Sequence, residues 1–185
     1  YHPMHLSSPQ IDLDRMDDLI EELSNYIRLS IGFQNSNGLA SLERELELVR
    51  SYIFIQQERF QDRIQVIWDI DDSIQINIPP LTIQPLVENA ISHGILKRVS
   101  GGEIRIYIKD EGESISITVE DNGVGMNKEQ IFEIMEIRED KRTGIGLLNT
   151  DRRLKQHYGT GLIINSEIGT GTAVSFKIPK ERTLS

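Results

Sequence analysis

The stretch DNGVGM, residues 121–126, decides how this sequence is read. It follows the alternating run SISITVE (114–120), and a second glycine pair, TGIG (143–146), comes later in the chain. A tight turn needs one or two residues of the Asp, Asn or Gly type. Here an acid, an amide and two glycines stand together where a strand runs out, so the turn is expected to bind something as well as to reverse the chain.

The pattern around this stretch is that of a sheet with helices. EIRIYIK (103–109) and SISITVE alternate with a period of two around DEGE, a hairpin signal. IQVIWDID (64–71) has the β-branched alternation of another strand, and LIINSE (162–167) and TAVSFKIP (172–179) form a last hairpin around IGTG. Between them, PLTIQPLVENAISHGI (80–95) reads as a helix with Pro85 in its first turn, residues 127–136 as a short helix, and IREDKR (137–142) as a loop. GLLNTDRRLKQHYG (146–159) reads as a helix closed by a glycine.

Two helices come first. Met16, Leu19, Ile20, Leu23 and Ile27 give residues 12–30 an apolar stripe, with Asp12 or Asp14 as caps, and GFQNSNGLA (32–40) breaks the chain. A second helix from Ser41 carries Leu42, Leu46, Val49, Ile53 and Phe60 on one side. The pair is read either as two core helices or as a dimerisation stalk. The fold class is therefore α+β, a two-layer sandwich with helices on one face of a mostly antiparallel sheet, preceded by a helical segment. The expected division is residues 1–62 for the helical segment and 63–185 for the sandwich.

Composition narrows the function. The 185 residues are 38% hydrophobic and 26% charged, as in ordinary globular proteins, and 20 basic against 29 acidic residues give a net charge of −9. That balance argues against nucleic acid as a partner, which demands a basic face. With no cysteine, disulfides and thiolate metal sites are excluded. No run approaches 18 apolar residues, so no membrane contact by this stretch itself is expected. YHPMHLSSPQ has neither a basic nor an apolar leader region and no initiator Met, which predicts a piece of a longer chain.

Each glycine run alone signifies an ordinary turn; their order is more telling. The blocks LVENAISHG (86–94), DNGVGM (121–126), TGIGLLN (143–149) and GTGT (169–172) resemble the successive ATP-binding segments of sensor histidine kinases. That superfamily also contains gyrase, a heat-shock chaperone and MutL. The upstream run ELELVRSYIFIQQERFQDRIQVIWDID, followed by IPPLTIQPLVENAI, is similar to the LytS/YesM-like group of these kinases. The likeness covers about residues 12–179.

The resemblance implies a site for ATP and Mg²⁺. Asp121 would accept from the adenine amine, Gly123 and Gly125 would admit the base, with Met126 beside them, and Thr172 would support Asp121. Asn89 would offer its oxygen to Mg²⁺, a hard ion that keeps several waters, and Glu88 beside it would orient metal water or polarise the acceptor. Thr143, Gly144, Gly146 and Leu147 would open a helix whose N–H groups hold phosphate. Residues 127–142 would form a lid, with Lys141 and Arg142 read as a solvated charge run in preference to phosphate contacts. His93 is read as a packing or nucleotide-edge residue. Ser92 stands where many relatives have Lys, and Lys97 or Arg98 are candidate replacements.

The reaction implied is transfer of the ATP γ-phosphate to a protein histidine, for relay to a response regulator by a homodimeric, membrane-anchored bacterial sensor with this domain in the cytoplasm. The group's acceptor segment is not matched by YHPMHLSS, so His2 and His5 are not read as acceptors, and the acceptor is expected outside this stretch. His157, near a helix end, favours the helix dipole. Two other readings remain open: an ATPase or conformational clamp, and a nucleotide-binding module without kinase activity. Against the clamp, its catalytic Glu position one turn before the metal Asn is Pro85 here.

Overall fold

The computed structural model describes residues 9–34, 38–136 and 145–180. Two antiparallel helices lead. α1 (Pro9–Gln34) and α2 (Leu42–Phe60) are tied by Arg15 with Glu58 at 3.0 Å near one end and by Asn25 Nδ2 donating to Ser51 Oγ at 3.1 Å midway. Near the other end the Arg44 guanidinium lies over the Phe33 ring. Helix α1 starts earlier than the sequence suggested, so Asp12 and Asp14 lie within it and do not cap it. Helix α2 is capped by Ser41, whose hydroxyl accepts from the Arg44 N–H.

The predicted stripe of α2 packs as expected. Leu42, Leu46, Val49 and Ile53 are buried in one core with the sheet, and Phe60 packs at its margin. The stripe of α1 does not pack. Leu29 and Phe33 meet Leu48 of α2, whereas Met16, Ile20, Leu23 and Ile27 remain 44–57% exposed. The structure therefore removes the reading of α1 as a core helix and leaves its apolar seam facing outward.

Five strands make the main sheet, in the order β2-β4-β5-β7-β6. β2 (Ile64–Ile70) pairs parallel with β4 (Gly102–Asp110); β4 with β5 (Ser114–Asp121), β5 with β7 (Gly171–Pro179), and β7 with β6 (Ile163–Glu167) pair antiparallel. A small ladder, β1 (Ala40–Ser41) with β3 (Asn77–Ile78), was not anticipated; it fastens the start of α2 to the segment after β2. One face of the sheet is apolar: Ile104, Ile106, Ile108, Ile115, Ile117 and Val119 point into the core, as the period of two requires. The helices α3 (Gln84–Asn89) and α5 (Ile145–Tyr158) cover that face together with α2. The fold class is the expected one.

The helix at 80–95 differs in detail. Pro79 and Pro80 lack N–H groups and Leu81 has φ of 60°, so helix begins only at Gln84, with Pro85 in its first turn. It then widens into a π-type turn at Ala90–Gly94 and tightens at Ile95–Lys97. Helix α4 (Lys128–Met135) starts from Asn127, whose side chain and that of Gln130 cap each other's backbone N–H.

Candidate nucleotide site

Asp121 ends β5 and is 5% exposed. Its Oδ1 accepts from the Gly123 N–H at 2.8 Å. Burial pushes its carboxyl up to about 6, while the N–H groups of Gly123 and Thr172 pull the other way; Glu120 raises it slightly and Arg98 lowers it. A buried acid held by backbone donors at a strand end suits a neutral amine as its partner.

The space beside Asp121 depends on missing side chains. A Cβ on Gly94 would lie 2.6 Å from Asp121 Oδ1 and 2.8 Å from its Cγ, so the end of the α3 segment approaches the carboxylate only because residue 94 is glycine. A Cβ on Gly123 would in turn strike the Gly94 backbone. Gly125 has φ of 72° and turns close against the Glu167 carbonyl. These glycines let three pieces of backbone pack together; the sequence reading had given Gly123 and Gly125 to the base alone and Gly94 no part.

The GTGT segment joins the same corner. Gly169 donates to the Val124 carbonyl at 2.8 Å, and Arg98 donates to the Gly169 carbonyl at 2.6 Å. Sequence reasoning missed Ser166 on β6. Its hydroxyl accepts from the Met126 N–H at 2.7 Å, lies 3.1 Å from the Gly171 carbonyl, and is 2.7 Å from the Thr172 hydroxyl. The only signal was a serine in an alternating strand directly before the IGTG turn.

Asn89 ends α3 and is half-buried; Glu88 before it is half-buried as well. Glu88 accepts from Gln84 Nε2 at 3.1 Å and faces Tyr26 and Tyr52 of the helical pair. Burial first, then the Glu88 charge, pushes the Tyr52 hydroxyl up to about 12, and the nearby Ser92 hydroxyl pulls the other way. Ser92 is thus exposed and near α2. His93 is exposed, and partial burial of its ring followed by the nearby Lys97 lowers its pKa below the ordinary value. Arg98 is engaged at the GTGT turn.

At the start of α5, a Cβ on Gly146 would rest 3.4 Å from Pro85 Cβ, which places that helix start against α3. Leu147 is buried in the core and Met126 is buried beside the turn. Thr143, Gly144, Lys141 and Arg142 lie outside the described residues, as do His2 and His5. His157 is in the last turn of α5, its ring 5.9 Å from that of Tyr158.

Among the described residues no group of three or more His, Asp or Glu is placed to hold a metal. Among the same residues no helix is long and apolar enough to cross a membrane.

Comparison with known proteins agrees with this geometry. Residues 80–182 match the family described as histidine kinase-, DNA gyrase B-, and HSP90-like ATPase, and residues 5–64 match the family described as histidine kinase. The chain is 39% identical over 177 residues to the sensor histidine kinase YpdA of Escherichia coli (strain K12), covering 96% of this chain and 31% of that protein. It is 38% identical over 174 residues to the uncharacterized protein YwpD of Bacillus subtilis (strain 168), covering 94% of this chain and 62% of that one. It thus spans less than two thirds of either relative. The histidine kinase domain of the Erythrobacter litoralis EL346 blue-light activated histidine kinase shares the fold, with a TM-score of 0.55 at 22% identity over 87% of this chain and 72% of that one. The match over residues 80–182, more than half of the 185 residues, makes this chain a member of the histidine kinase-, DNA gyrase B-, and HSP90-like ATPase family.

Proposed function

We propose that this chain is the ATP-binding catalytic part of a two-component sensor histidine kinase, which passes the ATP γ-phosphate to a histidine outside it for relay to a response regulator. The observation that carries the reading is the meeting, at one corner, of the Asn89 helix, the Asp121 turn and the GTGT segment, with Gly94 against the Asp121 carboxylate. The relative YpdA, named a sensor histidine kinase, supports the same reading.

Each residue has a role that follows from its chemistry. Asp121 accepts a hydrogen bond from the adenine amine and so prefers adenine to guanine, whose oxygen offers no donor there. Gly123, Gly125 and Met126 shape the wall beside it, with Thr172 behind. His93 stands at the rim, and Thr143, Gly144, Gly146 and Leu147 belong to the phosphate end. Asn89 supplies one oxygen to Mg²⁺, which when bound neutralises charge on the phosphates. Glu88 faces the tyrosines of the helical pair, on the side from which an acceptor segment joined to that pair approaches, and it polarises the acceptor there. Pro85 carries no acid one turn before Asn89, so water finds no general base at that position.

The division at residues 62 and 63 is then functional: a helical segment for dimerisation, then the nucleotide-binding part. The outward seam of α1, with Leu13, Met16, Ile20, Leu23 and Ile27 spaced by threes and fours, fits a second copy of the chain. The parent protein is a bacterial membrane sensor with this part in the cytoplasm.

The test is transfer of label from ATP, with Mg²⁺, to a separate polypeptide that carries the acceptor helix. Acid-labile phosphate on histidine that disappears in Asn89→Ala supports the proposal. Release of free phosphate with no labelled histidine points to an ATPase clamp and overturns it.

A further inference from the structure

Between Pro80 and Pro85 the backbone has four N–H groups, and one carboxylate accepts all of them. Glu45 Oε2 accepts from Leu81 at 3.0 Å, and Oε1 accepts from Thr82, Ile83 and Gln84 at 2.8, 2.6 and 3.3 Å. Glu45 belongs to the first turns of α2, in the helical pair, and is 0% exposed. The left-handed backbone of Leu81, φ 60°, turns successive N–H groups toward this single point. Burial pushes the Glu45 carboxyl above its ordinary value, against the pull of the four donors.

The same segment is gripped from its other side. Arg153 of α5 donates to the Pro80 carbonyl and, at 3.3 Å, to the Leu81 carbonyl, and Thr82 Oγ1 donates to the Pro79 carbonyl at 3.0 Å. The segment runs directly into α3, which carries Glu88 and Asn89. A buried carboxylate is costly to desolvate, and nothing here brings Glu45 to the corner formed by Asp121 and Gly94. What it does is join α2 to the start of α3 through four charge-assisted bonds, which are directional and stronger than neutral ones.

We propose that Glu45 is a positioning residue that couples the α1–α2 hairpin to the Asn89 helix, so that a shift of α2 moves Asn89 relative to the Asp121 pocket. For Asn89 as a metal ligand this rests on the function proposed above; the coupling itself does not. Hinge-like transmission of this kind needs a rigid joint, and a carboxylate with four donors supplies one.

The test compares Glu45→Gln with the unaltered 185-residue chain. Glutamine keeps the volume but turns an amide donor toward backbone donors. Amide hydrogen exchange, without nucleotide, is expected to quicken about tenfold at 81–84 and 86–90 while β4, β5 and β7 stay unchanged. Calorimetry is expected to keep metal-free ADP affinity within about twofold while the gain in affinity on adding Mg²⁺ falls about fivefold. Equal acceleration across α3 and the sheet would mean a plain loss of stability and overturns the proposal; so does unchanged exchange at 86–90. Should Glu45→Gln not fold, Glu45→Asp, which keeps the charge but is too short to reach all four donors, is read by the same criteria. If the unaltered chain binds no ADP, the nucleotide reading falls, and the exchange data alone still decide the coupling.

Discussion

Lowering the pH from 7.5 to 5 should weaken nucleotide binding through one residue, Asp121. Its carboxyl is raised to about 6 in the fold, mainly by burial. The ionised form is much the stronger acceptor for the adenine amine. At pH 7.5 nearly all of Asp121 is ionised, and at pH 5 about one part in eleven is, so apparent affinity should fall by up to about tenfold, or about 1.4 kcal/mol. Calorimetry with ADP in the absence of metal, between pH 5 and 7.5, measures this directly. The nucleotide's own phosphates also titrate in this range, and His93, lowered by partial burial and Lys97, takes up its proton on the acid side, so Asp121→Asn serves as the reference that carries those contributions alone. The difference between the two curves should bend near pH 6, and binding there should release about half a proton, visible as a dependence of heat on buffer ionisation. Parallel curves for the two proteins would refute the assignment of Asp121 to the base.

Four further outcomes follow from the geometry. The same raised carboxyl has the opposite sign for the empty fold: between the unfolded value of 3.8 and about 6 the folded chain holds the extra proton, so this group's stabilisation, full below 3.8, is lost as pH rises through 6. A series of denaturant melts in Asp121→Asn and the unaltered chain checks that slope. Gly94→Ala puts a methyl 2.6 Å from Asp121 Oδ1 and should cost about 1–3 kcal/mol of nucleotide affinity, read by calorimetry, with helix content by circular dichroism retained. Ser166→Ala leaves the Met126 N–H without its acceptor and should lower stability by about 1–3 kcal/mol in urea melts. Ile20→Glu charges the exposed seam of α1; under the pairing of chains proposed above, light scattering should show dimer for the unaltered chain and monomer for the variant, with the melting temperature of the sheet domain unchanged.

Much of the fold was legible because it is locally encoded. The alternation of 103–109, 114–120 and 172–179 marks strands buried on one face, and the turn residues at 110–113 and 168–171 set the β4–β5 and β6–β7 hairpins. The parallel pairing of β2 with β4 was not legible, since partners far apart in sequence are chosen by packing of the whole sheet. The late start of α3 follows from Pro79, Pro80 and Leu81, where the prolines were visible and the left-handed Leu81 was not. Its φ is sustained by contacts from α2 that no local pattern announces.

Of the candidate site, Asp121, Gly123 and Gly125 stood out in the sequence and the structure places them at one crowded corner, but what the glycines do there was only partly foreseen. Gly94, Gly123 and Gly125 are needed where backbone meets backbone, so their spacing signals a crowded junction before it signals a ligand. Glu45 escaped notice because an acid next to Leu46 in an amphipathic helix reads as surface. Its true signal was indirect: a run of four donors between prolines, with no acceptor nearby in sequence. Glu88 was read as orienting metal water or polarising the acceptor; its electrostatic influence on Tyr26 and Tyr52 of the helical pair comes from tertiary packing that no local pattern announces.

The central claim is that one pocket selects adenine through a single buried acid. Calorimetric titration of the unaltered chain with ADP and then with GDP, at pH 7.5, tests it most directly. One site for ADP and binding at least about a hundredfold weaker for GDP, as expected when a buried hydrogen-bonding group loses its partner, is the predicted result. Equal affinity for the two nucleotides, or none for either, would contradict it.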